Sequence, residues 1–511
     1  MPILFRLIAV LGLAATLGAC SDNDDDSPPA EQPPPPPPTP GTLIENPPAR
    51  IASLTPAQLF DALQLSSAGE QILDLIIAPT CGVDVHQLRY HTVDPAGAAT
   101  TASGALMIPT GSAATCQGAR PMVVYTHGTA AEKSYNIADL SNADNAEGLL
   151  IAATFAAHGY IVVAPNYAGY DSSTLTYHPY LHAEQQSKDT VDALSAARSA
   201  LPTSFAPTIT NGGKLFVTGY SQGGYVAMAT HRLLQQTGSV VTASAPMSGP
   251  YALAAFGDAI FQGQVIDSAP LLVSWIVSAY QRIYGNLYAA PTDAFDARYA
   301  TGIDTLLPTT GTRSQLYDQG RLPREQLFNS TPPDPAYAAF TPATTPADLA
   351  PVFARGFGPD ALVTNTYRLS YLQDSLARPD GAFPAYTDGL PAAAPTHPLR
   401  IGLKANDLRN WLPTAPVLLC AGNEDPSVLY MNTDLMQRYW SASGVTAPLR
   451  VLDVDSDPSL DDPYAALKVG FATLKATVEL AEGEAAVAEI YHSTLVPPFC
   501  LSAVQSFFDG L

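Results

Sequence analysis

Lys214-Leu215-Phe216-Val217-Thr218-Gly219-Tyr220-Ser221-Gln222-Gly223-Gly224-Tyr225-Val226-Ala227-Met228 changes character twice along its length. A β-branched and aromatic run breaks at Gly-Tyr-Ser-Gln-Gly, and an Ala-rich helical pattern follows. The stretch reads as strand, sharp turn, helix. In a G-x-S-x-G turn between strand and helix, the serine is held in a strained conformation that lifts its hydroxyl off the sheet edge. Glycines flank it because side chains there would collide. Ser221 is therefore the candidate nucleophile; the competing reading is a tight turn over Gly219 to Gly224 with no chemistry.

Outward from this turn the pattern is alternating. Pro56 to Leu65 reads as a helix, and Leu88 to Thr92 and Ala105 to Ile108 as strands. Pro121 to Thr129 is a buried-strand run ending in His127-Gly128, Ile151 to Ala157 is helical, and Tyr160 to Tyr167 is another apolar strand. Ser187 to Ala200 is an amphipathic helix with Val191, Leu194 and Ala197 on one stripe. Val240 to Met247 follows the turn as a further strand. Such alternation predicts an α/β fold with a mostly parallel central sheet and helices on both faces. Ligands then gather at the carboxyl ends of the strands, where His127, Asn166 and Ser221 fall.

From Tyr251 to Pro413 the alternation stops, and helical stretches such as Leu271 to Gly285 and Ala361 to Leu376 are separated by Pro-rich connectors. A helical insertion between two strands is most simply a cap over the site; a remote helical domain is the alternative. The sheet resumes at Pro416 to Gly422, followed by a helix from Tyr430 to Ser441, a strand from Leu449 to Asp453, a helix from Ala465 to Leu480, Ile490 to Ser493, and a closing helix from Leu501 to Phe508. The expected organisation is a signal segment (1–19), an Asp/Pro-rich linker (20–50), a first core segment (51–250), the helical cap (251–413) and a second core segment (414–511).

The chain has 511 residues, 47% hydrophobic and only 14% charged, with a formal net charge of −22. That balance supplies a large core and argues against nucleic acid or an anionic membrane as an electrostatic partner. Arg6, the apolar run Leu7 to Leu17 and Leu17-Gly18-Ala19-Cys20 look like a lipoprotein signal, too short for a comfortable membrane span. Cys20 is the expected lipidation site, with Ser21 after it pointing to the outer-membrane sorting class. Four cysteines remain, and an even number in an exported chain suggests two disulfides. Of three pairings, Cys81 with Cys116 and Cys420 with Cys500 each close a segment within one half of the chain.

A serine hydroxyl needs a base, and the base a carboxylate to fix its tautomer. Behind a turn of this type the partners follow in the order acid, histidine. After Ser221 come His231, His397 and His492. His231 lies in the helix after the turn, and His397 precedes every late strand, so His492 is the candidate base. Asp425, in Gly422-Asn423-Glu424-Asp425 directly after a buried strand, is the candidate acid, with Glu424 and Asp453 as rivals. The oxyanion needs two backbone N–H donors, expected from Gln222 and from Thr129 in the loop after His127-Gly128. Asp453-Val454-Asp455-Ser456-Asp457 alternates like a calcium loop but has Pro458 where glycine belongs and Tyr464 where glutamate belongs. It is read as a solvated acidic turn, and no metal or cofactor is expected.

The motifs Tyr-Thr-His-Gly-Thr (125–129), Pro-Asn-Tyr-Ala-Gly-Tyr (165–170), His178-Pro179-Tyr180-Leu181, Gly-Tyr-Ser-Gln-Gly-Gly (219–224), Gly422 to Asp425 and His492 together give the chain a resemblance to the α/β-hydrolases, and more narrowly to the secretory-lipase (lipase A type) group. The resemblance implies the α/β-hydrolase fold, ester hydrolysis and a helical cap between turn and acid. Asn166 departs from it, standing where related chains often carry Asp, and the cap sequence matches nothing in the group. The expected function is a serine carboxylic ester hydrolase acting through an acyl-enzyme, monomeric and held at the bacterial cell envelope by a lipid anchor alone. A serine peptidase and a non-catalytic surface-binding lipoprotein are the alternatives.

Overall fold

The structure, a computed structural model, describes residues 37–511 apart from residues 66, 76–77, 142–145, 381–389 and 393, and leaves out the side chains of residues 67, 68 and 74. Its centre is a nine-stranded sheet. The strands are β1 (Ala49–Leu54), β2 (Gly82–Val93), β3 (Ala99–Thr110), β4 (Gly118–Thr126), β5 (Ile161–Pro165), β6 (Ile209–Tyr220), β7 (Ala243–Met247), β8 (Val417–Ala421) and β9 (Leu449–Asp453). Their order in space is β1-β2-β3-β5-β4-β6-β7-β8-β9. The six strands from β5 to β9 in that order run parallel, whereas β1, β2 and β3 are antiparallel additions at one edge.

Strand register divides the core into two layers. On β4, Met122 and Val124 face one apolar cluster and Val123 and Tyr125 the other, as a period of two requires. The first cluster is closed by α4 (Ala183–Ala200) and α5 (Gln222–Gln236). The second is closed by α1 (Pro56–Leu63), α2 (Ser67–Leu75), α3 (Ala146–Thr154) and the C-terminal helix Val496–Asp509. β5, β7 and β8 are buried at every position, so their sequences are continuous apolar or small-residue runs without alternation.

The sheet reaches further towards the N-terminus than the composition suggests. Gly41 and Ile44 donate backbone N–H groups to His91 and Arg89 (both 2.8 Å), and Leu43 bridges to Tyr90. The end of the Asp/Pro-rich segment thus satisfies the open edge of β2, and β1 starts at Ala49 rather than beyond residue 50. Pairing of an edge strand needs backbone donors and acceptors, not an apolar pattern, so this stretch leaves little trace in the sequence. The signal segment and Cys20 lie outside the described residues. The two disulfides are Cys81–Cys116 and Cys420–Cys500.

Between β7 and β8 the chain builds the cap. α6 (Leu253–Phe261) and α7 (Ala269–Tyr284) come first, then short helical turns, then the helices Asn365–Ala377 and Pro398–Ala405. α7 has Pro270 in its first turn and ends at Gly285 with φ 71°, the usual start and stop of a helix. Two of the cap's buried arginines bridge carboxylates: Arg400 bridges Asp258 (2.7 Å) and Asp374 (2.8 Å), and Arg409 bridges Asp380 (2.9 Å) and Asp407 (2.8 Å). The root of the insertion is pinched. Leu408 N–H donates to Tyr251 O (2.9 Å), and Ala254 N–H to Asp407 Oδ2 (3.0 Å).

Candidate active site

Ser221 sits between β6 and α5 with φ 59° and ψ −123°, a strained conformation for a residue with a side chain. Its N–H donates to Met247 O on β7 (3.0 Å). A methyl group at Gly219 or Gly223 would overlap Thr126 on β4, and one at Gly224 would overlap the Met247 carbonyl. The glycines of the motif are therefore dictated by how closely β6 and α5 approach β4 and β7.

Two further segments meet the serine. His492 Nε2 is 2.8 Å from Ser221 Oγ, and His492 Nδ1 is 2.6 Å from Asp425 Oδ2. Asp425 is fully buried, and its Oδ1 accepts from the N–H groups of Ser427 and Val428 (both 2.9 Å), which fixes the carboxylate plane. Glu424 turns away to Lys475 (2.5 Å), and Asp453 accepts from Asn423, so neither rival faces the imidazole. His492 lies in a π-helical turn, Tyr491–Leu495, between the helices Glu484–Ile490 and Val496–Asp509. Its carbonyl accepts from the Tyr220 hydroxyl (2.7 Å), which ties the turn to the residue before the serine. Asp455 of the acidic turn accepts from Lys475 (2.7 Å) and Tyr491 (2.6 Å). Among the described residues no group of three His, Cys, Asp or Glu is arranged to hold a metal ion.

The other histidines are engaged elsewhere. His231 is buried with Nδ1 2.8 Å from Ser244 Oγ, and His397 packs on Tyr367 and Tyr371 within the cap. His127 is stacked on Tyr167 and faces the carbonyls of Gly128 and Asn166; burial lowers it to about 4. Asn166 is fully buried and uses both ends of its amide. Nδ2 donates to Ser103 Oγ (2.9 Å) and Asn136 Oδ1 (3.0 Å), while Oδ1 accepts from Ile137 N–H (2.8 Å). A carboxylate at this position would set an acceptor against an acceptor, which accounts for the departure from Asp.

Thr129 and Gln222 line one cavity with Ser221 and His492. Thr129 Oγ1 is 2.8 Å from the Tyr180 hydroxyl, and Tyr180 stacks on Trp275 of α7 (4.7 Å). The Gln222 side chain bonds His178 Nε2 (2.8 Å), while His178 Nδ1 faces Ala168 O (3.0 Å). Burial lowers His178 to about 3, so it serves as a neutral acceptor. Its motif therefore braces the start of α5. Glu147 on α3 also lines the cavity, beside Gly128; no motif or spacing in the sequence points to it. The cavity measures about 890 Å³. The cap lines it with an apolar group, Leu253, Phe256, Ile260, Leu271, Ile276 and Leu403, and with a polar one that includes Arg313, Arg324 and Arg355.

The prolyl oligopeptidase family matches residues 149–268, a segment well short of half the chain that runs from α3 through the serine turn to the first cap helix. No curated protein matches the chain. Among solved structures it is similar to the rice cell wall degrading esterase LipA from Xanthomonas oryzae, with 25% identity and a TM-score of 0.63 over 90% of this chain and 99% of that one. The chain has the α/β-hydrolase fold. A Legionella pneumophila protein assigned as a hydrolase shares that fold at 19% identity, with a TM-score of 0.62 over 92% of this chain and 97% of its own. Within this fold, the serine turn, the acid loop after β8 and the histidine turn before the last helix all open at the carboxyl edge of the sheet, under the cap.

Proposed function

We propose that the protein is a serine carboxylic ester hydrolase working through an acyl-enzyme on Ser221. The hydrogen-bonded chain from Ser221 through His492 to Asp425 carries this reading. Ser221 Oγ attacks the ester carbonyl as His492 Nε2 takes its proton, and Asp425 keeps the remaining imidazole proton on Nδ1. The N–H groups of Gln222 and Thr129 hold the oxyanion. The alcohol leaves with the proton from His492, and water then releases the acid by the same route; no cofactor takes part. The apolar part of the cap wall suits an acyl chain, so the substrate class is an acyl ester or lipid. The exported, disulfide-bonded body is placed at the cell envelope, lipidated on Cys20 and acting as a monomer.

The family match over residues 149–268 favours a second reading, a serine peptidase. That segment holds the serine turn, which serves both chemistries. Labelling by a fluorophosphonate probe, present in the wild type and lost in Ser221→Ala, tests the nucleophile. Turnover of p-nitrophenyl esters against peptide anilides separates the two reactions, and peptide turnover without ester turnover would overturn the ester reading.

A further inference from the structure

Glu147 stands beside the loop that follows β4. Its Oε1 accepts from the Tyr125 hydroxyl (2.6 Å) and from Gly128 N–H (3.1 Å), and the same N–H lies 3.3 Å from Oε2. Gly128 separates Glu147 from the serine: a methyl group on it would stand 3.7 Å from Ser221 Cβ and 3.8 Å from Glu147 Oε2. The N–H of Gly128 is thus committed to Glu147, which fixes the His127–Gly128 peptide plane, while His127 Nδ1 on the Gly128 carbonyl (2.6 Å) holds the next plane, the one leading to Thr129.

The surroundings hold no countercharge. Tyr125 comes from β4, Tyr135 from the loop after it, Tyr167 from the end of β5 and Tyr220 from β6. His492, Glu132 and the exposed Glu489 line the same cavity. Among the described residues no Lys or Arg pairs with Glu147. The bordering guanidiniums belong to the cap and are held there, Arg313 by Ser268, Arg324 by Asp318, and Arg355 by Asp267 and Glu325.

Resting on the ester-hydrolase reading above, we propose that Glu147 is a positioning residue for the oxyanion loop and acts as a neutral carboxylic acid, holding Gly128 through its carbonyl oxygen without adding charge beside the oxygen that becomes anionic. Burial raises the Glu147 carboxyl to about 7, against the hydrogen bonds from Tyr125 and Gly128 that pull it down. With its proton the group adds no charge beside the oxyanion; ionised, it sets a fixed negative charge against it and turnover falls. His492 has to be unprotonated to accept the serine proton.

The test measures kcat and KM for a p-nitrophenyl ester from about pH 5.5 to about pH 9 in wild type, Glu147→Gln and Glu147→Ala, with fluorophosphonate labelling of each preparation. Glu147→Ala is expected to lower kcat roughly 10- to 100-fold at every pH with KM nearly unchanged. Glu147→Gln, which keeps the carbonyl acceptor, is expected to restore most of that loss and to abolish the alkaline fall in kcat. An alkaline fall that persists in Glu147→Gln overturns the neutral-acid role, and a Glu147→Ala enzyme within about twofold of wild type overturns the positioning role. Should Glu147→Ala fail to fold by circular dichroism, the profile of Glu147→Gln decides. A wild type that does not label counts against the Ser221 reading, whereas a labelled wild type with unaffected Glu147 variants counts against this inference alone.

Discussion

Replacing Asp425 by Asn would leave the hydrogen-bonding shape at His492 largely intact while removing the charge that fixes the imidazole tautomer. For a triad of this kind, kcat is expected to fall on the order of 10³- to 10⁴-fold with little change in KM. A loss below about tenfold would show that another group orients His492. The meeting of Ser221, His492 and Asp425 is legible in the sequence because chain order after the turn leaves few choices. Glu147 is not. Its part depends on Gly128 lying against Ser221, and no spacing along the chain encodes a contact between a strand-end loop and the first turn of a separate helix. The role of His178 as the partner of Gln222 was hidden for the same reason.

α4 shows how an element can hold a carboxyl in a place that disfavours charge. Asp189 is fully buried on it, accepting from the Tyr90 hydroxyl (2.9 Å) and Ala168 N–H (2.5 Å). Burial raises its carboxyl to about 7, and that of Asp192 on the same helix to about 6. Unfolded, an aspartate ionises near pH 4. Between that pH and 7 the unfolded chain gives up protons that the folded one keeps, so stability falls as pH rises. Melting temperature is therefore expected to decline from about pH 5 to about pH 8, and Asp189→Asn to reduce the decline by roughly 2 °C. An unchanged slope would mean that Asp189 is not the group responsible. The amphipathic stripe of α4 announced the helix, but a carboxyl on its buried side looks in sequence like any helical aspartate. The antiparallel direction of β1 to β3 was equally silent, since alternation marks a strand without saying which way its neighbour runs.

The molecule is held at two distant points by its disulfides, and they have unequal bearing on the site. Cys420–Cys500 joins β8, which leads to Asp425, with the helix that follows His492, across 80 residues. Closing a loop of that length stabilises by about 4 kcal/mol in the chain-entropy description. The double variant Cys420→Ala/Cys500→Ala is expected to lower the denaturant midpoint and, at a given denaturant concentration, to lose activity before the sheet unfolds by circular dichroism. The variant lacking Cys81–Cys116, a bond across 35 residues at the antiparallel edge, should lose stability and activity together. Coincident loss in both variants would mean that the bond near the site adds only stability.

The pinch at Tyr251 and Leu408 gives the insertion the character of a cassette. The cap residues that border the cavity, among them Leu253, Phe256, Leu271 and Leu403, are threaded between two residues already hydrogen-bonded to each other, while Ser221, Asp425 and His492 all lie outside that interval. Sequence drift within it can reshape what is admitted without moving the atoms that react, and the expense of closing a longer or shorter segment grows only slowly with length. A cap grafted from a relative at this seam, with Asp407 and Arg409 kept as the clasp, is a natural route to a new selectivity on an unchanged reaction centre.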